Sequence, residues 1–169
     1  VANYVIWHKH TGGGGSGKDD ATFKALDKIG TTPFVSGCAA DAPTNDPTPD
    51  KDVVVPAGQK VTYPVAPPSS GPHLAQPVQV NSAGFYTVAD RPPVEGLVGN
   101  RNAGWTWLWY DPNLVPPTQV DLIKKAAAVL HKDPRYSLFV ATAWDDSYGK
   151  LPLGTPIALT RWSKDTGQV

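Results

Sequence analysis

The sequence predicts a single α+β domain with a mainly antiparallel sheet, one principal amphipathic helix and long loops rich in proline and glycine. Tryptophans recur at positions 105, 107 and 109, which is the period-2 pattern of a β-strand. One segment, 118–131, has the spacing of an amphipathic helix. The 169 residues include 18 prolines and 16 glycines, a composition that favours loops and short strands over a helical bundle.

The alternating tryptophans predict a central strand over 105–111. Trp105, Trp107 and Trp109 would share one face of this strand, which ends at Asp111-Pro112. Two interpretations remain open for the row. The rings can form core, because each indole buries roughly 200 Å², or they can form a platform for a sugar or another flat ligand. We favour core for most of the row, with one indole lining a pocket.

The other elements follow from local patterns in chain order. A short helix capped by Asp19 or Asp20 is predicted to end near Ile29, before Gly30. A loop rich in Asx and proline follows over 31–52. Further strands are predicted at 53–55, 59–63, 84–88, 136–144 and 157–162, and a helical turn at 92–98. The resulting division is an N-terminal segment with a Gly-rich linker and short helix (1–35), a globular domain (36–163) and a C-terminal tail (164–169).

The principal helix is predicted over 118–131, with Thr118 as its N-cap. Asp133-Pro134 would end it, because the residue before a proline avoids the helical conformation. Lysines concentrate in its C-terminal half, as the helix dipole prefers. The apolar face is formed by Val120, Ile123, Ala127 and Leu130.

Charge and cysteine content exclude several classes of function. The formal net charge is zero, so no electrostatic argument supports a nucleic-acid partner. Cys38 is the single cysteine, which excludes an internal disulfide or a cysteine-based metal cluster, and no cofactor motif is present. His8 and His10 offer at most weak chelation, and the glycine-rich stretch 11–17 reads as a linker.

The first ten residues, VANYVIWHKH, place an apolar run before Trp7 and a basic cluster. This order is typical of the exit of a membrane-spanning helix, although about 20 residues are needed to span. An anchor upstream of residue 1 and an edge strand over 4–7 are the two interpretations. The segment is also the candidate contact for a protein partner.

The segment 66–73 holds three prolines and ends in His73. Because proline fixes its own φ, the loop would be rigid enough to aim an imidazole into a site. A surface histidine after a turn is the alternative. Asp145 and Asp146 follow a predicted strand, and either a carboxylate pair or solvated loop charge explains them.

Five segments then establish a resemblance, PPSSGPH, GFY, LVGNRNAG, LWYDP and PIALTRW, which begin at residues 67, 84, 97, 108 and 156. In this order they resemble domain-of-unknown-function family 3105, which is frequent in actinobacteria. Its members typically read PPTSGPH, a GxY, then VHNLEHG before a strand ending in YDP. The resemblance covers residues 36–163 and implies an extracytoplasmic protein, because many members carry an N-terminal membrane helix.

The departures from this pattern bear on function. The family pattern has His, Glu and His where this chain has Gly99, Asn102 and Ala103, whereas Asn100 and Gly104 agree with it. With the histidine of GPH, the family residues would make a metal or acid–base site. Here only His73 remains of that set, so the resemblance implies a degenerate site with no bound metal.

Three functions are therefore weighed. The first is a non-catalytic extracytoplasmic binding domain, its former cleft holding a small molecule such as a sugar or cell-wall fragment. The second is an enzyme of altered chemistry with His73 as acid–base, supported by Asp145 or Asp146. The third is an accessory subunit of a cell-envelope complex. The candidate ligand-binding residues are His73, Tyr86, Asn100, Arg101, Asn102, Trp105, Trp107 and Trp109.

Overall fold

The computed structural model of the protein describes residues 21–29, 46, 53–100, 104–152, 155–163 and 166–168. The described residues form an α+β domain, so the predicted fold class is confirmed. The helices are α1 (Ala21–Asp27), α2 (Val94–Gly99) and α3 (Pro117–Lys132). The strands are β1 (Val54–Val55), β2 (His73–Leu74), β3 (Phe85–Tyr86), β4 (Thr106–Tyr110), β5 (Phe139–Ala143), β6 (Ile157–Ser163) and β7 (Thr166–Gln168).

The main sheet has the strand order β3-β5-β4-β6-β7. β6 is antiparallel to both β4 and β7, in line with the predicted mainly antiparallel sheet for β4 but through an unpredicted strand for β7. In contrast, β5 is parallel to both β3 and β4. The sheet is therefore mixed rather than mainly antiparallel. The reason is that α3 connects β4 to β5 as a crossover, and a crossover helix joins adjacent parallel strands.

Strand β4 separates two apolar layers, because its side chains alternate between the faces of the sheet. Trp107 and Trp109 lie on one face with α2 and the loops around it. Leu108 and Tyr110 lie on the other face, against α3. The predicted alternation over the tryptophan row is confirmed, and it places α2 and the 67–73 loop on the tryptophan face.

Helix α3 begins at Pro117, one residue before the predicted start, and Pro116 rather than Thr118 occupies the N-cap. Proline at the first helical position has its φ preset and loses no helical hydrogen bond, so a side-chain cap is not required. The face predicted from the sequence is buried at Ile123, Ala127 and Leu130.

Helix α1 is a short helix within the range predicted from the sequence. It packs against α3. Its Leu26 is buried, and its Thr22 Oγ1 donates a 2.6 Å hydrogen bond to Asp133 Oδ2. Asp133 lies just beyond α3 and also accepts hydrogen bonds from Arg135. These contacts tie the described part of the N-terminal segment to the domain.

Two local predictions differ from the structure. Residues 59–63 form no strand, because the Val61 N–H donates to the Glu95 carboxylate at 2.7 Å instead of to a neighbouring strand. Val54 and Val55 do form a strand, but this strand pairs in parallel with His73 and Leu74 instead of with residues 59–63. A pairing of two residues leaves no periodic pattern in a sequence.

The predicted C-terminal tail contributes a strand, since β7 pairs with β6 through three residues. The predicted linker at 11–17, the loop residue Cys38 and the basic cluster at 8–10 lie outside the described residues. Within the described ranges, no helix is both long and apolar enough to cross a membrane.

Gly84 provides a test of how β3 meets α3. Its φ is +61°, and a Cβ built there would lie 2.8 Å from Cβ and Cγ of His131. We expect Gly84→Ala to lower the free energy of unfolding by about 2–5 kcal/mol, since a left-handed L-residue costs roughly 1–2 kcal/mol and overpacking costs about 1–3 kcal/mol.

The matched control is Gly58→Ala. Gly58 also has a positive φ, +86°, but a Cβ there meets nothing within 4 Å. Urea denaturation of both variants separates backbone strain from the steric clash. Equal losses of stability would contradict the predicted contact between β3 and the end of α3.

Candidate functional site

Two segments that are distant in the sequence meet on the tryptophan face of the sheet. The first is the loop 67–73, which ends in His73 on β2. The second is the C-terminal end of α2, and both border the tryptophan row. Helix α2 packs against β2, and this contact brings Gly99 beside the His73 ring. We call this region the loop–helix cleft.

Gly99 and His73 define the chemistry of the cleft. A Cβ built at Gly99 would lie 3.6 Å from Cδ2 of His73 and 3.1 Å from the Leu74 carbonyl oxygen. A side chain at position 99 would therefore stand directly against the imidazole. Because this chain has glycine there, the His73 ring meets no side chain from position 99.

His73 is buried, with 9% of the residue exposed, and its Nδ1 lies 3.1 Å from the Gly71 carbonyl oxygen. A carbonyl can only accept, so this contact requires the proton on Nδ1 and leaves the lone pair on Nε2. The loop thus orients the imidazole by its own main chain. In the neutral tautomer that this contact favours, Nε2 is the hydrogen-bond acceptor.

Asp46 holds the loop in place. Its Oδ2 accepts hydrogen bonds from Ser69 N, Ser69 Oγ and Ser70 N, at 2.8, 3.0 and 3.0 Å. At the far end of the loop, Tyr63 Oη donates to the Pro72 carbonyl at 2.7 Å. The sequence places Asp46 in a long Pro- and Asx-rich loop, where no local pattern marks it as a long-range anchor.

The tryptophan row forms a continuous series of ring contacts, stacked between Trp105 and Trp107 and tilted between Trp107 and Trp109. Trp105 and Trp107 are stacked with centroids 5.7 Å apart, and Trp107 and Trp109 follow at 6.3 Å. Trp107 is 4% exposed and Trp109 is fully buried, whereas Trp105 is half-buried. The core interpretation is therefore confirmed for the inner two, while Trp105 reaches the surface and its role as a platform stays a prediction.

A small pocket opens between this row and the loop–helix cleft. Its enclosed space is about 10 Å³, which is roughly the room needed for one water molecule or one ligand oxygen. Its walls come from the loop, the end of α2, the row and β6, namely Pro68, Ser69, Leu97, Val98, Trp105, Trp107, Trp109, Thr160 and Arg161.

Three of the predicted ligand-binding residues have their polar atoms bonded inside the protein. The Asn100 amide accepts from Val78 N at 2.9 Å and donates to Val78 O at 3.0 Å. Tyr86 Oη accepts from Asn81 N at 2.6 Å, and Trp109 Nε1 donates to Thr160 Oγ1 at 2.8 Å. These groups hold the walls of the cleft in position. His73 lies in the cleft beside Gly99, whereas Trp105 and Trp107 line the pocket. Arg101 and Asn102 lie outside the described residues.

The family model described as "Protein of unknown function (DUF3105)" matches residues 54–167, which is two thirds of the chain. This chain belongs to that family. The match contains both segments of the loop–helix cleft and the main sheet up to residue 167, one residue before the end of β7. No curated protein and no solved structure matches the chain.

In this DUF3105 member, the described ranges contain no group of three or more His, Cys, Asp or Glu side chains placed to hold a metal ion. His73 would need partners from positions 99, 102 and 103 to form one by the family pattern. Of these three positions the structure describes position 99, where glycine has no side chain that could bind a metal.

A second polar cluster of this DUF3105 domain was not identified from the sequence. Glu95, 2% exposed, accepts from Val61 N and from Tyr148 Oη, the latter at 3.0 Å. Arg91 lies 5.4 Å from the Tyr148 ring centre and 3.5 Å from Asp145 Oδ2. The available signal was a lone acidic residue among the apolar residues of 94–98, since glutamate is seldom fully buried unless paired.

The electrostatics of this cluster have clear physical causes. Burial, and then the charge of Glu95, raise the pKa of Tyr148 to about 12. Burial lowers the pKa of Arg91, and the Ser147 backbone N–H lowers the pKa of Asp145. The Asp145 side chain accepts this N–H as the N-cap of the short 3₁₀ helix of residues 146–148, and its Oδ2 lies 3.5 Å from the Arg91 guanidinium. Asp146 is exposed on that helix.

We expect Glu95→Gln to lower the pKa of Tyr148 from about 12, because a negative charge beside the phenolate is removed. Burial remains in the variant, so the pKa stays above its ordinary value. Alkaline ultraviolet titration of tyrosinate absorbance measures this shift, and Tyr148→Phe assigns the transition.

The same shift sets a pH dependence of stability. The folded pKa lies above the unfolded value of 10.0, so the protonated phenol stabilises the fold below that pH. This contribution is lost as the pH rises from 10.0 towards 12. An unchanged titration in Glu95→Gln would show that burial alone perturbs Tyr148.

Proposed function

We propose that this DUF3105 protein is a non-catalytic, extracytoplasmic binding domain whose ligand lies in the loop–helix cleft against Trp105. The observation that carries the proposal is the contact between Gly99 and His73. The cleft keeps the rigid loop and an oriented imidazole, but position 99 provides no second ionisable group. Such an arrangement supplies recognition without the paired groups that acid–base or metal chemistry needs.

The polar content of the cleft supports a small neutral ligand. His73 offers Nε2 as a hydrogen-bond acceptor, and the Nδ1 contact with Gly71 fixes the ring. A hydroxyl group is the natural donor to such a nitrogen. The Trp105 indole stacks on Trp107 and is half-buried, so part of its surface remains for the C–H face of a sugar ring, which suits the negative π face. A sugar or cell-wall fragment combines both features.

The extracytoplasmic location rests on the N-terminal sequence and on family membership. The first ten residues read as the exit of a membrane helix, and this arrangement is typical of many relatives. We therefore place the ligand in the cell envelope. Fractionation of cells that produce the full-length protein, with protease added to intact cells, tests this; a purely cytosolic, protected protein would contradict it.

The alternative enzyme of altered chemistry requires Asp145 or Asp146 to support His73. Asp145 instead accepts a 2.8 Å hydrogen bond from Ser147 N and lies 3.5 Å from Arg91. Both of these partners belong to the second polar cluster and not to the loop–helix cleft. Binding is the function that the described contacts support best.

We expect His73→Ala to weaken glycan binding about three- to tenfold, because the lost hydrogen bond is worth about 0.5–1.5 kcal/mol. Tryptophan fluorescence titration with soluble muropeptides and glucan oligomers measures the dissociation constants. The matched control is His131→Ala, since His131 lies at the end of α3 beside Gly84. The proposal is wrong if no glycan binds, or if both variants bind alike.

We further expect Gly99→His combined with Ala103→His to create a zinc site with His73. Three imidazoles suit Zn²⁺, whereas the natural chain should retain no stoichiometric metal after dialysis. Equilibrium dialysis followed by metal analysis tests this, with circular dichroism to verify folding because the Leu74 carbonyl lies close to position 99. Adding His73→Ala should abolish the gain.

A further inference from the structure

Five aromatic side chains form one continuous series of ring contacts through the tryptophan layer. Beyond Trp107 and Trp109 the series continues to Trp144, whose ring centre lies 5.3 Å from that of Trp109 in an edge-to-face contact. Tyr148 follows at 6.4 Å from Trp144. At the other end, Trp105 stacks on Trp107. The two end residues are partly exposed and the three between them are buried. We call these five rings the aromatic path.

The composition of the chain makes these rings the natural targets of one-electron oxidants. Indole and phenol both lose an electron far more easily than aliphatic side chains do. Thioethers and thiols compete for oxidants, but the sequence has no methionine and one cysteine, against six tryptophans and six tyrosines. Electron transfer weakens exponentially with distance, so rings in contact exchange a radical much faster than separated rings. We therefore expect a radical formed on one ring of the aromatic path to move along it.

The hydrogen bonds of the buried indoles determine whether a radical stops on them. An oxidised indole is trapped when its N–H proton passes to a base. No residue in the described part of the chain accepts from Trp107 Nε1. Trp109 Nε1 donates to the Thr160 hydroxyl at 2.8 Å, and Trp144 Nε1 donates to the Gly149 carbonyl at 2.8 Å. A hydroxyl and a peptide carbonyl are too weakly basic to take the proton, so these indoles pass the radical on.

Tyr148 differs from the three buried indoles because its hydrogen-bond partner is a base. Its Oη donates to the Glu95 carboxylate at 3.0 Å. A phenol becomes a strong acid once it is oxidised, so loss of its electron is coupled to transfer of its proton to Glu95. The Lys60 ammonium lies 4.4 Å from the ring centre, and the Arg91 guanidinium lies 5.4 Å from it. Both cations disfavour a positive charge on the ring, so the electron and the proton leave together.

We propose that the aromatic path is a radical-transfer route that carries an oxidising equivalent from Trp105 to Tyr148. An oxygen-centred radical in solution takes one electron from the Trp105 indole and is reduced to its anion. Electrons then move along the path from Tyr148 towards Trp105. In the last step Tyr148 reduces the oxidised Trp144 and its phenolic proton moves to Glu95, which leaves a neutral tyrosyl radical and a protonated carboxyl group.

A thiolate in solution completes the cycle. It gives one electron to the Tyr148 radical and becomes a thiyl radical, while Glu95 returns the proton to the phenolate oxygen. Every side chain of the aromatic path is restored and the oxidant is consumed. The route needs no ligand in the loop–helix cleft, so it does not rest on the proposed binding function.

Flash-quench photolysis of tris(bipyridine)ruthenium, which generates a one-electron oxidant in solution, tests the route by transient absorption. In the unmodified protein we expect an indole radical signal that decays as a tyrosyl radical signal rises. Tyr148→Phe should remove the tyrosyl signal. Glu95→Gln should lower its yield and prolong the indole signal, because an amide is not a base. Persistence of the tyrosyl signal in Tyr148→Phe would overturn the proposal.

The matched control for Tyr148→Phe is Tyr136→Phe. A cation also lies over the Tyr136 ring, Arg135 at 5.4 Å from its centre, and Tyr136 is likewise partly exposed, but it is not one of the five rings. We expect this variant to keep the tyrosyl signal of the unmodified protein. Loss of the signal in the control would assign the radical to Tyr136 and would contradict the route.

Two further variants test whether the radical travels along the path. Trp105→Phe keeps a ring at the entrance that this oxidant does not oxidise. Trp107→Phe interrupts the path at a residue whose Nε1 has no acceptor in the described part of the chain. Each should remove most of the tyrosyl signal at an equal dose of oxidant, with circular dichroism to verify folding. An undiminished signal in either folded variant would show that the oxidant reaches Tyr148 by another way and would overturn the proposal.

Discussion

The architecture depends on the alternation of side chains along β4. This strand pairs with β5 on one side and β6 on the other, so both of its edges are paired and only its faces are left to pack against other elements. Trp107 and Trp109 fill one apolar layer, and Leu108 and Tyr110 fill the other. A slip of one residue would exchange the two layers, and the large indoles would then meet α3, which packs around Ala127. The register of β4 therefore fixes where every other element can lie.

The cleft and the polar cluster are consequences of what covers the tryptophan layer. Helix α2 lies there with Glu95 buried, and its carboxylate takes up the Val61 N–H and the Tyr148 hydroxyl. The same helix ends at Gly99 beside His73. Helix α2 thus holds the irregular segment around Val61 through Glu95, and its C-terminal residue Gly99 borders the cleft. Its buried carboxylate accepts two hydrogen bonds, and its last residue, Gly99, places no side chain against the His73 imidazole.

The sequence predicted the elements with strong periodicity and missed those that depend on distant partners. The tryptophan strand and α3 were predicted because their patterns extend over several residues. The pairing of Val54 with His73 was missed because two residues carry no period. Asn100 illustrates a similar limit for the site: an amide in a motif resembles a ligand group, but Val78 engages both ends of it. Only the fold shows which polar atoms are already bonded.

The sequence by itself determined the fold class, the family and the single imidazole at the centre of the cleft, because these follow from residue identity and local spacing. The tertiary structure decided the direction of β5, the long-range role of Asp46 and the burial of Glu95. It also decided that the Trp109 indole N–H finds an acceptor in Thr160, whereas no residue in the described part of the chain accepts from that of Trp107. Residues in a row are equivalent in a sequence, but packing gives each of them different neighbours, and hydrogen bonding and burial depend on those neighbours.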